Sequence, residues 1–166
     1  MKKTDLIQNW RNQKASNKQK HRKFVKNLRR KKGKKLDELG DELHEEVFRE
    51  VDCLDCANCC TSIPPMLLRA DISRISKHLG MKPTQFEAEY LIEDEDGDMV
   101  MNSTPCPFLD AENDNKCFIY EHRPKACRKY PHTDQLEFSQ NLRLHAINAQ
   151  HCPAVFHILE RMIEKL

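Results

Sequence analysis

Apolar residues are sparse and unevenly spread along this chain, and their spacing changes character several times. Up to about Gly33 only two islands interrupt a polar sequence, Leu6, Ile7 and Trp10, then Phe24, Val25 and Leu28. A helix is allowed there, but so few apolar positions predict an arm that cannot build a core. Beyond Gly33 the pattern tightens: Leu36, Leu39, Leu43 and Val47 recur at steps of three and four, which puts them on one helical face that ends before Cys53. Residues 53 to 66 follow neither helical nor strand spacing, with four cysteines running into Pro64-Pro65, and predict an irregular loop.

Asp71 is placed to cap a short helix carrying Ile72, Ile75 and Leu79, which Gly80 ends. Pro83 opens another, with Thr84 and Glu87 at capping-box spacing and Phe86, Tyr90 and Leu91 as packing residues. Asp96-Gly97 signals a hairpin with Met99, Val100 and Met101 in one strand, and a second small hairpin is expected around Asn113 to Lys116. Helical spacing returns with Leu142 and Leu144 to Ile147, then Val155, Ile158, Leu159, Met162 and Ile163. No repeat of fixed period is visible. The predicted fold is mainly α with small β-hairpins and irregular metal-binding loops, a compact cysteine-cluster domain over 36–166 with a basic N-terminal helix or arm over 1–35.

Composition sharpens this picture in one respect. Only 39% of the residues are hydrophobic and 33% are charged, so burial alone leaves a thin margin of stability and something else is expected to help hold the fold. The eight cysteines, Cys53, Cys56, Cys59, Cys60, Cys106, Cys117, Cys127 and Cys152, are the candidates. The N-terminus is basic but lacks the apolar run of about seven residues that a signal peptide needs, and no stretch nears the roughly eighteen apolar residues of a membrane span. A cytoplasmic protein with no membrane partner is therefore expected. In that reducing compartment clustered thiols are better explained by metal than by disulfides.

Cys53-x-x-Cys56-x-x-Cys59-Cys60 offers four thiols in eight residues, enough for one loop to wrap several sulfurs around a centre. Three thiols at two-residue gaps are the start of the bacterial ferredoxin pattern, in which a remote Cys-Pro supplies another ligand, and both Cys106-Pro107 and Cys152-Pro153 have that form. Zinc also accepts Cys-x-x-Cys pairs and needs only four ligands. The spacing leaves zinc and an iron–sulfur cluster both open as cofactors, with the ferredoxin-like triplet favouring iron. Neighbouring side chains usually diverge, so one of Cys59 and Cys60 can face a second site. At least one mixed site is expected, the 53–60 segment being completed from Cys106, Cys117, Cys127 or Cys152; the competing reading is that one or two of the eight are merely buried apolar residues.

The ordered run Cys53-x-x-Cys56-x-x-Cys59-Cys60, Cys106-Pro107-Phe108-Leu109, Cys117-Phe118-Ile119-Tyr120-Glu121-His122-Arg123-Pro124, Cys127-Arg128-Lys129-Tyr130-Pro131 and Cys152-Pro153 resembles the successive signatures of the YkgJ family of cysteine-cluster proteins, over roughly residues 50 to 156. The resemblance implies chelation of zinc or iron, and members are often labelled Fe–S oxidoreductases. The family form has Gly before the third cysteine, where Asn58 stands here; Asn tolerates left-handed backbone, so the turn is expected to survive. A redox enzyme or electron-transfer component is the alternative function.

Outside the thiols, Arg123, Arg128, Tyr130, His132 and Asp134 can bind an anion or donate to metal sulfurs, or can simply pair and pack. His122, His132 and His151 are weak metal candidates where eight thiols are available. The spacing of radical SAM enzymes and glycine-rich nucleotide loops are both absent. Residues 1 to 36 hold fifteen Lys or Arg against one acid, Asp5, while the rest of the chain holds thirteen basic and twenty-five acidic residues. The basic segment suits nucleic acid, a ribosome-associated role or an acidic surface; the competing reading is a solvated arm that keeps an acidic domain in solution.

Overall fold

The computed structural model describes residues 3–31, 33–134 and 138–166. Met1, Lys2 and Lys32 of the expected basic arm lie outside them. The chain divides into two units, Met1–Cys56 with Pro131–Leu166, and Ala57–Tyr130. Most described residues are helical and the strands form two short antiparallel pairs, as the sequence pattern implies.

The first unit is a helical bundle. α1 (Lys3–Leu28) is rich in Lys, Arg, Gln and Asn, and α2 (Lys34–Phe48) begins directly after Gly33, whose φ of 136° suits glycine. α8 (Leu142–Asn148) and α9 (Pro153–Lys165) complete it, with α1 packing on α8 and α9, and α2 on α9. Pro83-like starts recur here: Pro153 sits in the first turn of α9, where its missing N–H costs nothing. Leu36, Leu43 and Val47 of α2 are buried as their spacing requires, and Gly40 between them lets the Phe138–Gln140 turn close in, since a Cβ at Gly40 would lie 2.7 Å from Phe138 Cγ. The Ser139 N–H donates to Asp37 Oδ1 at 2.7 Å and fixes that turn.

The expectation that the N-terminal segment cannot build a core is corrected. Leu6, Ile7, Trp10, Val25 and Leu28 are all buried, and the Trp10 indole N–H donates to the Ala149 carbonyl at 2.9 Å. Polar groups with partners complete the stripe where hydrophobes are missing. His21 is fully buried with Nε2 2.6 Å from Glu160 Oε1, Asn17 donates to the same carboxylate, and Lys14 lies 4.2 Å from the centre of the Trp10 ring.

The second unit is built of shorter pieces. The segment read as an irregular loop holds two short helical turns, α3 (Cys53–Cys56), which closes the first unit's N-terminal stretch, and α4 (Asn58–Ser62), which opens the second. The left-handed residue is Ala57, at φ 46°, not Asn58, so the turn is set one residue earlier than expected. α5 (Arg69–His78) starts two residues before the predicted cap. Asp71 is its third residue and reaches back to accept from the Leu68 N–H at 3.1 Å. Its end is as expected: Gly80 at φ 69° donates to the Lys77 carbonyl and Met81 to the Ser76 carbonyl, the paired bonds of a Schellman stop. α6 (Pro83–Tyr90) begins on Pro83, with no side-chain cap from Thr84.

β1 (Leu91–Glu93) and β2 (Met99–Met101) form the predicted hairpin in the register Leu91↔Met101, Ile92↔Val100 and Glu93↔Met99. Asp94 Oδ1 accepts from the Asp96 and Asp98 N–H groups and Gly97 takes φ 83° to turn the chain. β3 (Leu109–Asp110) and β4 (Lys116–Cys117) form the second, with Leu109 opposite Cys117. Leu67, Ile72, Ile75, Phe86, Leu91, Met101, Phe108 and Ile119 make the unit's small core, against which Cys106 and Cys117 pack half-buried. α7 (Lys125–Lys129) carries Cys127.

Candidate metal centre

Backbone contacts bring four thiols of the second unit to one region. The Cys106 N–H donates to the Cys60 carbonyl at 2.7 Å, tying the end of α4 to the start of the second hairpin. Cys106 precedes β3 and Cys117 ends β4, so antiparallel pairing returns the chain to the same end of that hairpin. Cys127 is located by α5. Asp71 Oδ1 accepts from the Lys125 N–H at 3.1 Å and from Arg74 Nη2 at 2.6 Å, while Arg74 donates to the Arg123 carbonyl at 3.1 Å. Asp71 is 2% exposed, and this anchoring role, rather than capping alone, explains a buried carboxylate. The Arg74 contact holds its carboxyl below the usual range even though burial pushes the other way. Sequence reasoning missed Asp71 and Arg74 as parts of the site; an Asp-x-x-Arg step on one helical face was the only available signal.

Electrostatics defines the grouping. Desolvation pushes the Cys106 thiol up to about 11, with Cys117 and Cys60 adding to the rise. Cys117 is raised by burial and again by Cys60. Cys127 is exposed by accessible surface, yet enough protein surrounds its thiol to push it up to about 12, with Cys60, Cys106 and Cys117 each contributing. Burial, reinforced by neighbouring sulfurs, thus opposes ionisation of Cys106, Cys117 and Cys127. Cys60 goes the other way: a hydrogen bond shared with the neighbouring Cys59 thiol, Sγ to Sγ 4.0 Å, brings it down to about 7.

Two features suit this set to a cation. The Phe108 N–H donates to the Cys106 sulfur and the Ile119 N–H to the Cys117 sulfur, each from two residues onward, and both bonds favour the thiolate. Arg123 favours the thiolates of Cys117 and Cys127. A polyvalent cation would remove the remaining repulsion.

A second set lies in the first unit. Cys152, the residue before α9, is raised to about 12 by burial and further by Cys53 and Cys56 of α3, while the Val155 and Ala154 N–H groups at the start of α9 donate to its sulfur. The eight cysteines are all unbridged, in keeping with thiols rather than disulfides. Among the described residues no group of three or more His, Cys, Asp or Glu side chains is placed to hold a metal ion.

The remaining candidates divide. Arg123 Nη1 donates to the Tyr120 carbonyl at 2.6 Å and its guanidinium lies 3.9 Å from the Tyr120 ring centre, and Arg128 donates to the Arg123 carbonyl. Arg123, Arg128 and Tyr130 belong to the second unit, His132 and Asp134 to the first. His122 stacks on His78 with ring centres 4.0 Å apart. His151 is half-buried beside Cys152.

A mainly helical fold with clustered, unbridged thiols is that of a cysteine-cluster protein. Residues 52–153, well over half of the chain, match the family model described as "CxxCxxCC: Putative zinc- or iron-chelating domain", and the chain belongs to that family. Neither a curated protein nor a solved structure matches it. No helix among the described residues is long and apolar enough to cross a membrane.

Proposed function

We propose that the protein chelates metal through Cys60, Cys106, Cys117 and Cys127, that Cys53, Cys56 and Cys152 form a separate thiol set, and that an iron–sulfur centre is the preferred occupant of the four-thiol set over zinc. The observation that carries this reading is the backbone geometry that ties Cys106 to Cys60 and pairs Leu109 with Cys117 in one unit, with the Cys127 helix anchored by Asp71 in the same unit. Thiols raised to about 11 and 12 stay protonated at neutral pH unless a cation stabilises their thiolates. When bound, the metal supplies that charge and, as an iron–sulfur cluster, an electron couple.

Four thiolates suit tetrahedral zinc and a cubane cluster alike. The preference for iron rests on Cys106-Pro107, the ferredoxin-like step within the four-thiol set, together with backbone N–H donation to the sulfurs of Cys106 and Cys117, a device that tunes cluster potential. Anaerobic purification with metal analysis, acid-labile sulfide assay and a visible spectrum tests it. A brown protein containing iron and sulfide is expected; a colourless protein with stoichiometric zinc overturns the preference.

A redox or electron-transfer role is the second reading, favoured by the same Cys106-Pro107 step and backbone N–H donation to the sulfurs of Cys106 and Cys117. A reversible wave in anaerobic voltammetry of the iron-loaded protein is expected, and its absence removes this role.

A further inference from the structure

The basic character of the N-terminal segment takes a definite shape once α1 is formed. Its buried face holds Leu6, Trp10, His21, Val25 and Leu28. On another face, Arg11, Lys18, Arg22 and Lys26 are all exposed and follow one another at steps of seven, four and four, the spacing that keeps residues in one row along a helix. At about 1.5 Å per residue the row is about 22 Å long. Arg29, also exposed, extends it in the turn that follows α1. No acidic residue occurs between Asp5 and Asp37 to interrupt it. Among the described ion pairs, α1 contributes only Lys20 and His21, both to Glu160.

We infer that this row is a docking surface for the phosphodiester backbone of nucleic acid. A linear array of cations matches a linear polyanion, whose duplex form presents one phosphate per about 3.4 Å along each strand. A lipid surface fits less well. Interfacial helices insert apolar side chains beside their basic ones, whereas the apolar residues Leu6, Ile7, Trp10, Val25 and Leu28 are committed to the protein interior. Backbone contacts through Lys and Arg position a protein without reading sequence, so binding without sequence preference is the expected mode. This inference stands independently of which metal the thiols hold.

The structure also dictates the form of the test. Deleting the arm would remove Trp10 and the rest of that buried face, so loss of binding on deletion would report loss of fold. The variant of choice is Arg11→Gln, Lys18→Gln, Arg22→Gln and Lys26→Gln combined in the full-length, metal-loaded chain, since all four side chains are exposed. Binding is read by fluorescence anisotropy with a labelled 30-base-pair DNA duplex and a labelled 30-nucleotide single-stranded RNA of mixed sequence. Circular dichroism checks the fold. With about five phosphate contacts the wild type should lose about 500-fold in affinity for the duplex and about 100-fold for the single strand between about 50 and 200 mM salt, and the fourfold variant should bind at least about 30-fold more weakly at fixed salt. The duplex and RNA arms show which polymer is preferred.

Three outcomes overturn the inference: no binding of either polymer at 50 mM salt, binding that salt leaves unchanged, or equal binding by the wild type and a folded variant. Tighter binding to anionic phospholipid vesicles than to both nucleic acids also overturns it. The wild-type salt series decides the matter even where the variant is poorly behaved.

Discussion

The two units solve the same problem of a hydrophobic-poor sequence by different means. In the first, α1 and α2 each bury one face, α9 is buried at every residue from Pro153 to Leu159, and where apolar residues run out, paired polar groups such as His21 with Glu160 complete the stripe. Arg161 ties α9 to Glu50, just past α2, at 2.7 Å and to Glu46 of α2 at 3.6 Å, and Lys165 ties it to Glu42 of α2. In the second, elements of two to ten residues surround a core of eight buried side chains, with Cys106 and Cys117 packed against it. In the proposed reading, helix burial suffices for the first unit and a cation at the sulfurs completes the second.

That contrast sets the order of expected effects. The largest follows metal removal. Structural metal sites contribute on the order of 10 kcal/mol of apparent binding free energy, comparable with the whole stability of a domain. Treatment with a strong chelator under reducing conditions should therefore abolish protection of the 57–130 backbone in hydrogen exchange while helices of the first unit stay protected. Equal loss in both units would break the comparison.

Next is the converse experiment. Leu43 of α2 is 0% exposed, and Leu43→Ala should cost about 2–5 kcal/mol in chemical denaturation while leaving metal content unchanged. Loss of metal in the folded variant would show that the distinction between the units is wrong.

A smaller effect comes from pH. His145 is fully buried against Phe138, ring centres 4.2 Å apart, and burial lowers its pKa to about 4. The unfolded chain therefore binds a proton near pH 6.5 that the native state refuses until about pH 4. This stability is present above pH 6.5 and is lost as pH falls toward 4, by roughly 3 kcal/mol for that residue. His145→Gln should flatten the slope between those limits in urea titrations, and an unchanged slope would remove His145 as its source. Smallest is Gly40→Ala, whose Cβ would press on Phe138; it should cost about 1–3 kcal/mol, and an unchanged melting temperature would show that the turn yields freely.

What could be read from the sequence was local. The α2 stripe, the Gly80 stop, the Pro83 start and both hairpins depend on period or turn chemistry within a few residues, and all are present. The core role of α1 was hidden because its stripe is completed by His21 and Asn17, residues whose burial depends on Glu160 far along the chain. The cysteines were legible as metal-ligand candidates and a mixed site was expected, while their spacing left the partition among sites open. Cys56 and Cys59 are three residues apart in sequence yet fall in different units, divided at the left-handed Ala57. Asp71 looked like an ordinary cap; its link to Lys125 is a tertiary fact that no local pattern contains.

The most direct test of two thiol sets compares Cys106→Ser with Cys56→Ser, each purified anaerobically and analysed for metal and for protection of residues 57–130. Cys106→Ser should lose the iron or zinc of the four-thiol set and unfold the second unit. Cys56→Ser should retain that metal and that protection, because its thiol is grouped with Cys152. Loss of all metal and of the second unit's protection in Cys56→Ser would contradict the account, since it would make Cys56 a ligand of the same centre.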